Sequence, residues 1–154
     1  MTGQKLFQFL YDNHVRYDIL KHPVAFTAQG IAHAAHVSGR MVAKTVIVKV
    51  DDRMVMMVLP ASCRLNIDML RSIFWTDRVE LANEEEIARM FPDCEIGGMP
   101  PFGNLYGLEV YVSRELTRDP QISFNAGNHS ELVRMSYTDF ARIVHPSVMD
   151  FAQI

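Results

Sequence analysis

Two apolar runs, MVAKTVIVKV (Met41 to Val50) and RMVMMVLP (Arg53 to Pro60), stand back to back with only Asp51 and Asp52 between them. Both are of strand length and rich in β-branched and other apolar side chains, and a two-residue acidic break is the size of a hairpin turn. A chain holding this hairpin must build a sheet around it and cover that sheet with further apolar surface.

The flanking segments supply the cover. Leu6, Phe7, Leu10 and Tyr11 recur at helical spacing, so a first amphipathic helix is expected over about Thr2 to Asn13, with VRYDIL as a short strand after it. HPVAFTAQGIAHAAHV reads as a proline stop followed by an alanine-rich helix, capped by Thr27 and ending near Ser38 and Gly39. Asn66 caps a helix running to Phe74, and Asn83 with Glu86 has the spacing of a capping box. LYGLEVYVS, QISFN and LVRMS read as strands, AGNHSE as a turn, and SYTDFARIV as a last helix capped by Ser136. The expected fold is mixed α/β, a mixed sheet or barrel with helices packed outside it, in a single domain over residues 1–154.

Composition narrows the function classes. Hydrophobic residues make up 49% of the chain and charged residues 21%, and no apolar run approaches the roughly 20 residues that span a bilayer. No membrane partner is expected, and the N-terminal segment lacks the pattern of a secretory signal, which points to the cytoplasm. Cys63 and Cys94 form no CxxC pair, so they read as free thiols and not as a zinc or redox motif. His33 and His36 lie three apart on the expected second helix, but no carboxylate or thiolate at ligand spacing joins them, so no metal is expected. GxSxG and HExxH are absent, as are GxGxxG and the P-loop, which leaves serine hydrolases, zinc hydrolases and nucleotide cradles without support.

Three places can carry chemistry. Lys44 is a cation in a strand of mostly apolar neighbours, where it either faces something anionic or strongly polar, loses its charge, or snorkels at a sheet edge. CEIGGMPPFGNLYG, Cys94 to Gly107, holds four glycines and two prolines, and so forms a shaped loop whose backbone N–H groups a ligand can approach closely. NAGNHSE places Gly127, Asn128 and His129 in a tight turn, with a histidine able to donate, accept or titrate.

Taken in order, HPVAFTA at His22 to Ala28, Lys44 in its strand, GGMPPFG at Gly97 to Gly103 and FNAGNH at Phe124 to His129 resemble the YbaK-type aminoacyl-tRNA deacylases. That family includes the editing domain inserted in bacterial prolyl-tRNA synthetases, and the resemblance runs from about residue 4 to residue 145. It implies hydrolysis of the ester joining a wrong amino acid to the terminal adenosine of a tRNA, most often tRNA for proline carrying alanine or cysteine, without a cofactor. Such a second site is useful because a binding pocket rejects a similar small amino acid by only about 10–200-fold.

Carried over by position, the resemblance gives the family's near-essential lysine to Lys44 and its Gly-x-His turn to Gly127 and His129, flanking Asn128. Amides of the Gly97 to Gly103 loop, those around Gly98 and Gly103 included, would orient the ester carbonyl as an oxyanion hole does. Phe26, with Met99 or Phe102, would wall an amino-acid pocket that Thr27, Thr45, Pro100 and Pro101 border. Thr45 looks more like the cysteine-type deacylases than the alanine-type branch, and the double proline is typical of neither. The alternative is a binding module without turnover that serves as a synthetase adaptor.

With 15 basic residues against 18 acidic ones, tight unaided grip on a whole tRNA is not expected. Either recognition centres on the acceptor end, or a synthetase or elongation factor is the partner that lends tRNA affinity. Arg40, Lys49, Arg53 and Arg64 surround the hairpin and are the cations that would line that end, unless they only solvate the surface.

Overall fold

The computed structural model describes residues 3–22 and 42–154. The expected second helix, Phe26, Thr27, His33, His36 and Arg40 lie outside the described residues. The chain opens with α1 (Gln4–Asp12) and β1 (Tyr17–Lys21), then forms the hairpin β2 (Ala43–Val50) and β3 (Arg53–Pro60). After it come β4 (Arg64–Leu65), α2 (Ile67–Phe74), β5 (Val79–Leu81) and α3 (Glu84–Met90). The remainder is β6 (Val110–Ser113), β7 (Gln121–Asn125), β8 (Glu131–Ser136), α4 (Tyr137–Val144), β9 (Ser147–Met149) and β10 (Ala152–Gln153).

The hairpin turns where the two aspartates stand. Asp51 and Asp52 both take positive φ, 49° and 72°, as the two-residue turns that suit strand twist require. Asp51 is held there by its amide donating to Arg78 O at 3.0 Å and by the Thr76 hydroxyl donating to its carboxylate at 2.7 Å. β2 and β3 are the centre of a five-stranded sheet in the order β5-β2-β3-β6-β9, antiparallel from β5 to β3 and parallel from β3 to β9. An antiparallel sheet β1-β8-β7 lies beside it, joined by one parallel bridge between Val42 and Ser123, and β10 pairs with β4. The sheets are mixed and carry helices, as expected, but do not close into a barrel.

Both faces of the hairpin are covered, which is why its sequence is continuously apolar instead of alternating. On one face Ile47, Met56, Val58, Val110 and Val112 pack with Leu6 and Leu10 of α1 and Phe140 and Ile143 of α4. On the other, Val48, Val50, Val55, Met57 and Leu59 pack with Leu70 of α2, Tyr111 and Phe151. The helix starts follow the expected caps: Asn66 accepts from the Met69 amide, Ser136 from the Asp139 amide, and Asn83 with Glu86 forms the full capping box. LYGLEVYVS departs from expectation, since only Val110–Ser113 is strand. Gly103–Tyr106 is instead a short 3-10 turn, ended by Gly107 at φ 73°.

Candidate functional site

The glycine-proline loop and the NAGNH turn are one construction. The Glu95 amide donates to Gly127 O at 2.8 Å, and the Gly127 amide donates back to Gly98 O at 2.9 Å. Glu95 also reaches across with its side chain, whose Oε1 accepts from the His129 amide at 2.9 Å. The His129 ring lies 2.7 Å from Ile96 O through Nε2; a carbonyl can only accept, so the ring proton sits on Nε2. The Asn125 amide group donates to Gly97 O at 3.4 Å.

Asn128 shapes the turn from within, its Oδ1 accepting from the amides of Ser130 and Glu131, each at 2.9 Å. Its own amide group donates to Glu131 Oε1 at 2.9 Å. Two glycines are required by this packing. Gly127 holds φ 95°, and a Cβ on Gly98 would lie 3.0 Å from the N, Cα and C atoms of Asn128.

These contacts decide which loop amides remain available. The Gly98 amide is spent on Glu95 O and the Phe102 amide on Pro100 O, while Pro100 and Pro101 have none. Among the described residues the Gly97 amide meets only the Met99 sulfur, at 3.2 Å. Among the described residues the amides of Met99 and Gly103 have no acceptor. Phe102 is fully buried in the core, against Phe9, Phe124 and Phe140, and does not line an open wall. Gly103 is buried against Val110, whose Cγ2 would lie 2.8 Å from an added Cβ. Met99, Pro100 and Pro101 are buried with it, and Thr45 is part-buried on β2.

Lys44 approaches this unit from β2. The Val42–Ser123 bridge sets the start of β2 parallel to β7, and two residues further along each strand stand Lys44 and Asn125. The bridge is isolated, but it makes β2 and β7 neighbours at this end, with Lys44 and the Asn125 that holds Gly97 each two positions beyond it. Lys44 is part-buried, and burial lowers its pKa from the ordinary 10.5, partly offset by attraction to Cys63. No carboxylate pairs with it among the described residues.

The two cysteines are placed differently. Cys63 is buried beside Lys44, whereas Cys94 hydrogen-bonds Tyr106 at 3.5 Å and burial pushes its thiol up to about 11. Tyr106 in turn donates to Asp93 at 3.0 Å, which fastens the two ends of the loop. Among the described residues no group of three or more metal-ligating side chains gathers, and no helix is long and apolar enough to cross a membrane.

A mixed α/β fold with a lysine strand running alongside a glycine-rich loop, itself bonded to a Gly-x-His turn, defines the class. The chain belongs to the aminoacyl-tRNA editing domain family, whose profile matches residues 22–143. It is 24% identical to a multifunctional Ser/Thr-tRNA deacylase, ProXp-y, of Escherichia coli strain K12, over 98% of this chain and 93% of that protein. It is 35% identical to a proline–tRNA ligase of Macrococcus caseolyticus over 94 residues, which is 61% of this chain and 16% of the ligase. A crystal structure described as a candidate trans-editing enzyme for prolyl-tRNA synthetase superposes with a TM-score of 0.85 at 18% identity, covering 99% of this chain and 97% of the other.

Glu95 and Ile96 are positions of the candidate site that motif reading passed over. Their signal was only their place at the entrance of the glycine-proline loop, because their partner His129 is more than thirty residues away.

Proposed function

We propose that the protein is a trans-editing deacylase that hydrolyses the ester between a wrong small amino acid and the terminal adenosine of a tRNA. The observation that carries this reading is Lys44, a part-buried cation with no carboxylate partner among the described residues, set level with Asn125 and the loop it holds. A cation left without an internal partner is completed by an anionic or strongly polar ligand. The ribose and phosphate of an acceptor end supply both.

In this reading Lys44 binds the sugar-phosphate of the terminal adenosine, and the amides of Gly97, Met99 and Gly103 face the ester carbonyl. Water attacks the carbonyl carbon, the acyl C–O bond breaks, and the ribose oxygen takes up a proton. Charge developing on the carbonyl oxygen is offset by amides already fixed in place, so little reorganisation is needed. His129 acts by pinning Ile96 and Glu95, and so the loop, rather than by attacking the substrate. Mischarged tRNA for proline carrying cysteine or alanine fits the resemblance in sequence, and the name of the Escherichia coli relative adds serine and threonine to the candidate amino acids.

The test is a deacylation time course against tRNA charged with alanine, cysteine, serine, threonine and, as the correct product, proline on its own acceptor. Lys44-dependent release of one or more small amino acids with prolyl-tRNA spared is the expected result. No release from any of them, with binding retained, would make the protein a binding module instead.

A further inference from the structure

Trp75, the only tryptophan of the chain, is 93% exposed. It closes α2 from the left-handed region, at φ 56°, where a helix end favours glycine or asparagine and a bulky side chain is strained. The helix end does not need the ring, because the amides of Trp75 and Thr76 both donate to Arg71 O. The indole makes no ring contact or hydrogen bond among the described residues. A single exposed apolar residue is ordinary, but this one strains the backbone and gains no burial that would offset the strain.

Its surroundings have a definite chemistry. Beside the ring lies a shallow recess of about 520 Å³ lined by Arg71, Ser72, Trp75, Thr76 and Asp77. α2 packs on β5, an edge strand of the five-stranded sheet, and β5 ends in Leu81, 59% exposed and on the same face as the buried Val79. Residues 68–89 hold six acidic residues and three basic ones, so the chain's whole net charge of −3 arises in this segment. Arg71 is already paired with Asp68 and Arg78 with Asp52, while Glu80 and Glu86 hold Lys49. Asp77, Glu84 and Glu85 form no ion pair among the described residues.

We propose that Trp75 and Leu81 anchor a docking surface for a second protein, and that its occupant is a basic segment. Such a segment brings lysines or arginines to Asp77, Glu84 and Glu85 and lays an apolar side chain against the indole. Tryptophan is among the residues that dominate interface energies, and the charges around it select the partner. The same charges disfavour RNA, whose phosphates would meet unpaired carboxylates. The Thr76 hydroxyl donates to Asp51 of the hairpin turn, so this surface lies at the end of β2 away from Lys44, roughly 20 Å along the strand. A partner held there leaves the Lys44 end open. The inference stands whether or not the editing reading does.

The experiment is fluorescence anisotropy with three labelled model peptides: a lysine-leucine peptide, the same with glutamate for lysine, and the same with serine for leucine. The lysine-leucine peptide should bind saturably, at least about tenfold more tightly than either of the others. Trp75→Gly, which suits the positive φ, should melt at or above the wild-type temperature and weaken that binding about tenfold. Asp77→Asn should weaken it about threefold. Affinity for an uncharged acceptor-stem minihelix should be the same in Trp75→Gly as in the wild type. Equal binding of the lysine-leucine peptide by wild type and Trp75→Gly overturns the proposal, as does equal binding of the lysine and glutamate peptides. A minihelix affinity lowered by Trp75→Gly would give the surface to RNA, and a clearly lowered melting temperature would make the ring a support of the fold; either overturns it. Because the readout is peptide binding, a wild-type protein that deacylates nothing would refute the editing reading and leave this test intact.

Discussion

Lys44 and Lys49 are the same side chain on the same strand, five residues apart, yet their surroundings are opposite. At the hairpin end Lys49 Nζ lies 3.0 Å from Glu86 and 3.6 Å from Glu80, and the hydrogen bond and charge of Glu86 raise its pKa. At the other end Lys44 has no such partner among the described residues, and burial lowers its pKa. The hairpin end is a self-neutralised surface; the Lys44 end carries charge that only something from outside can complete. A lysine that only snorkels and one that awaits a ligand both fit the Lys44 end, and the variants below separate them.

The strongest way to break the comparison is Lys44→Met, which keeps the apolar stem and removes the charge. Deacylation should fall by about 10²-fold or more, the scale of losing a group that stabilises developing charge, while the melting temperature stays near or above that of the wild type. A variant of normal activity would put Lys44 outside the mechanism.

The loop comes next. Gly98→Ala forces a Cβ to within 3.0 Å of the Asn128 backbone, so loop and turn must part by a few tenths of an ångström. A cost of about 1 kcal/mol and a loss of roughly tenfold or more in activity are expected. Gly107→Ala is the control: nothing lies within 4 Å of its Cβ, but φ is +73°. It should cost about 1 kcal/mol through backbone strain alone and leave turnover intact, as chemical denaturation and kinetics will show. Equal activity losses in the two variants would mean that general loosening, not loop position, is being read.

The two lysines should also separate along pH. A lowered Lys44 pKa means its charge is lost below the ordinary 10.5, so deacylation should fall on the alkaline side before a solvated lysine would titrate. For stability the sign is the reverse of Lys49. The charged Lys44 opposes folding below its folded pKa, and that penalty fades as pH rises. Lys49, raised by its partners, contributes fully below 10.5, and its contribution is lost as pH climbs through its higher folded value. At pH 8 Lys44→Met should therefore melt above and Lys49→Met below wild type, and both differences should shrink as pH rises towards 11.

What was legible in the sequence follows from the range of the forces involved. The hairpin could be read because both faces of β2 and β3 are buried, and the helix starts at Asn66, Asn83 and Ser136 because capping spans only three residues. β5, β9, β10 and β4 are two or three residues long and exist through their pairing, so they carry no pattern of their own. At the site, Lys44, the loop and the turn were each visible, and the glycine at 98 has a reason in packing. Their stitching through Glu95 and Ile96 was not visible, nor was the burial of Phe102, since both depend on partners far along the chain. From sequence, Lys49 and Arg53 were open to lining the acceptor end or only solvating the surface, and their partners Glu80, Glu86 and Glu109 come to them only through the register and the packing.

The smallest effect is expected where that neutralisation is undone. Lys49→Met removes a cation whose side chain is already shared between two glutamates, one of which, Glu86, also accepts the Asn83 amide at 3.0 Å in the capping box. The box does not need the lysine, so α3 keeps its start, and a surface ion pair of this kind contributes little to stability. Deacylation should stay within about twofold of wild type, as for most surface changes away from a site. Binding of an uncharged acceptor-stem minihelix with its single-stranded 3′ end should not weaken either, because the neutralised end of β2 has no free charge to offer a phosphate. If Lys49→Met instead weakened RNA binding as much as Lys44→Met does, the glutamates would have to yield Lys49 to the ligand, and the contrast between the two ends of the strand would no longer hold.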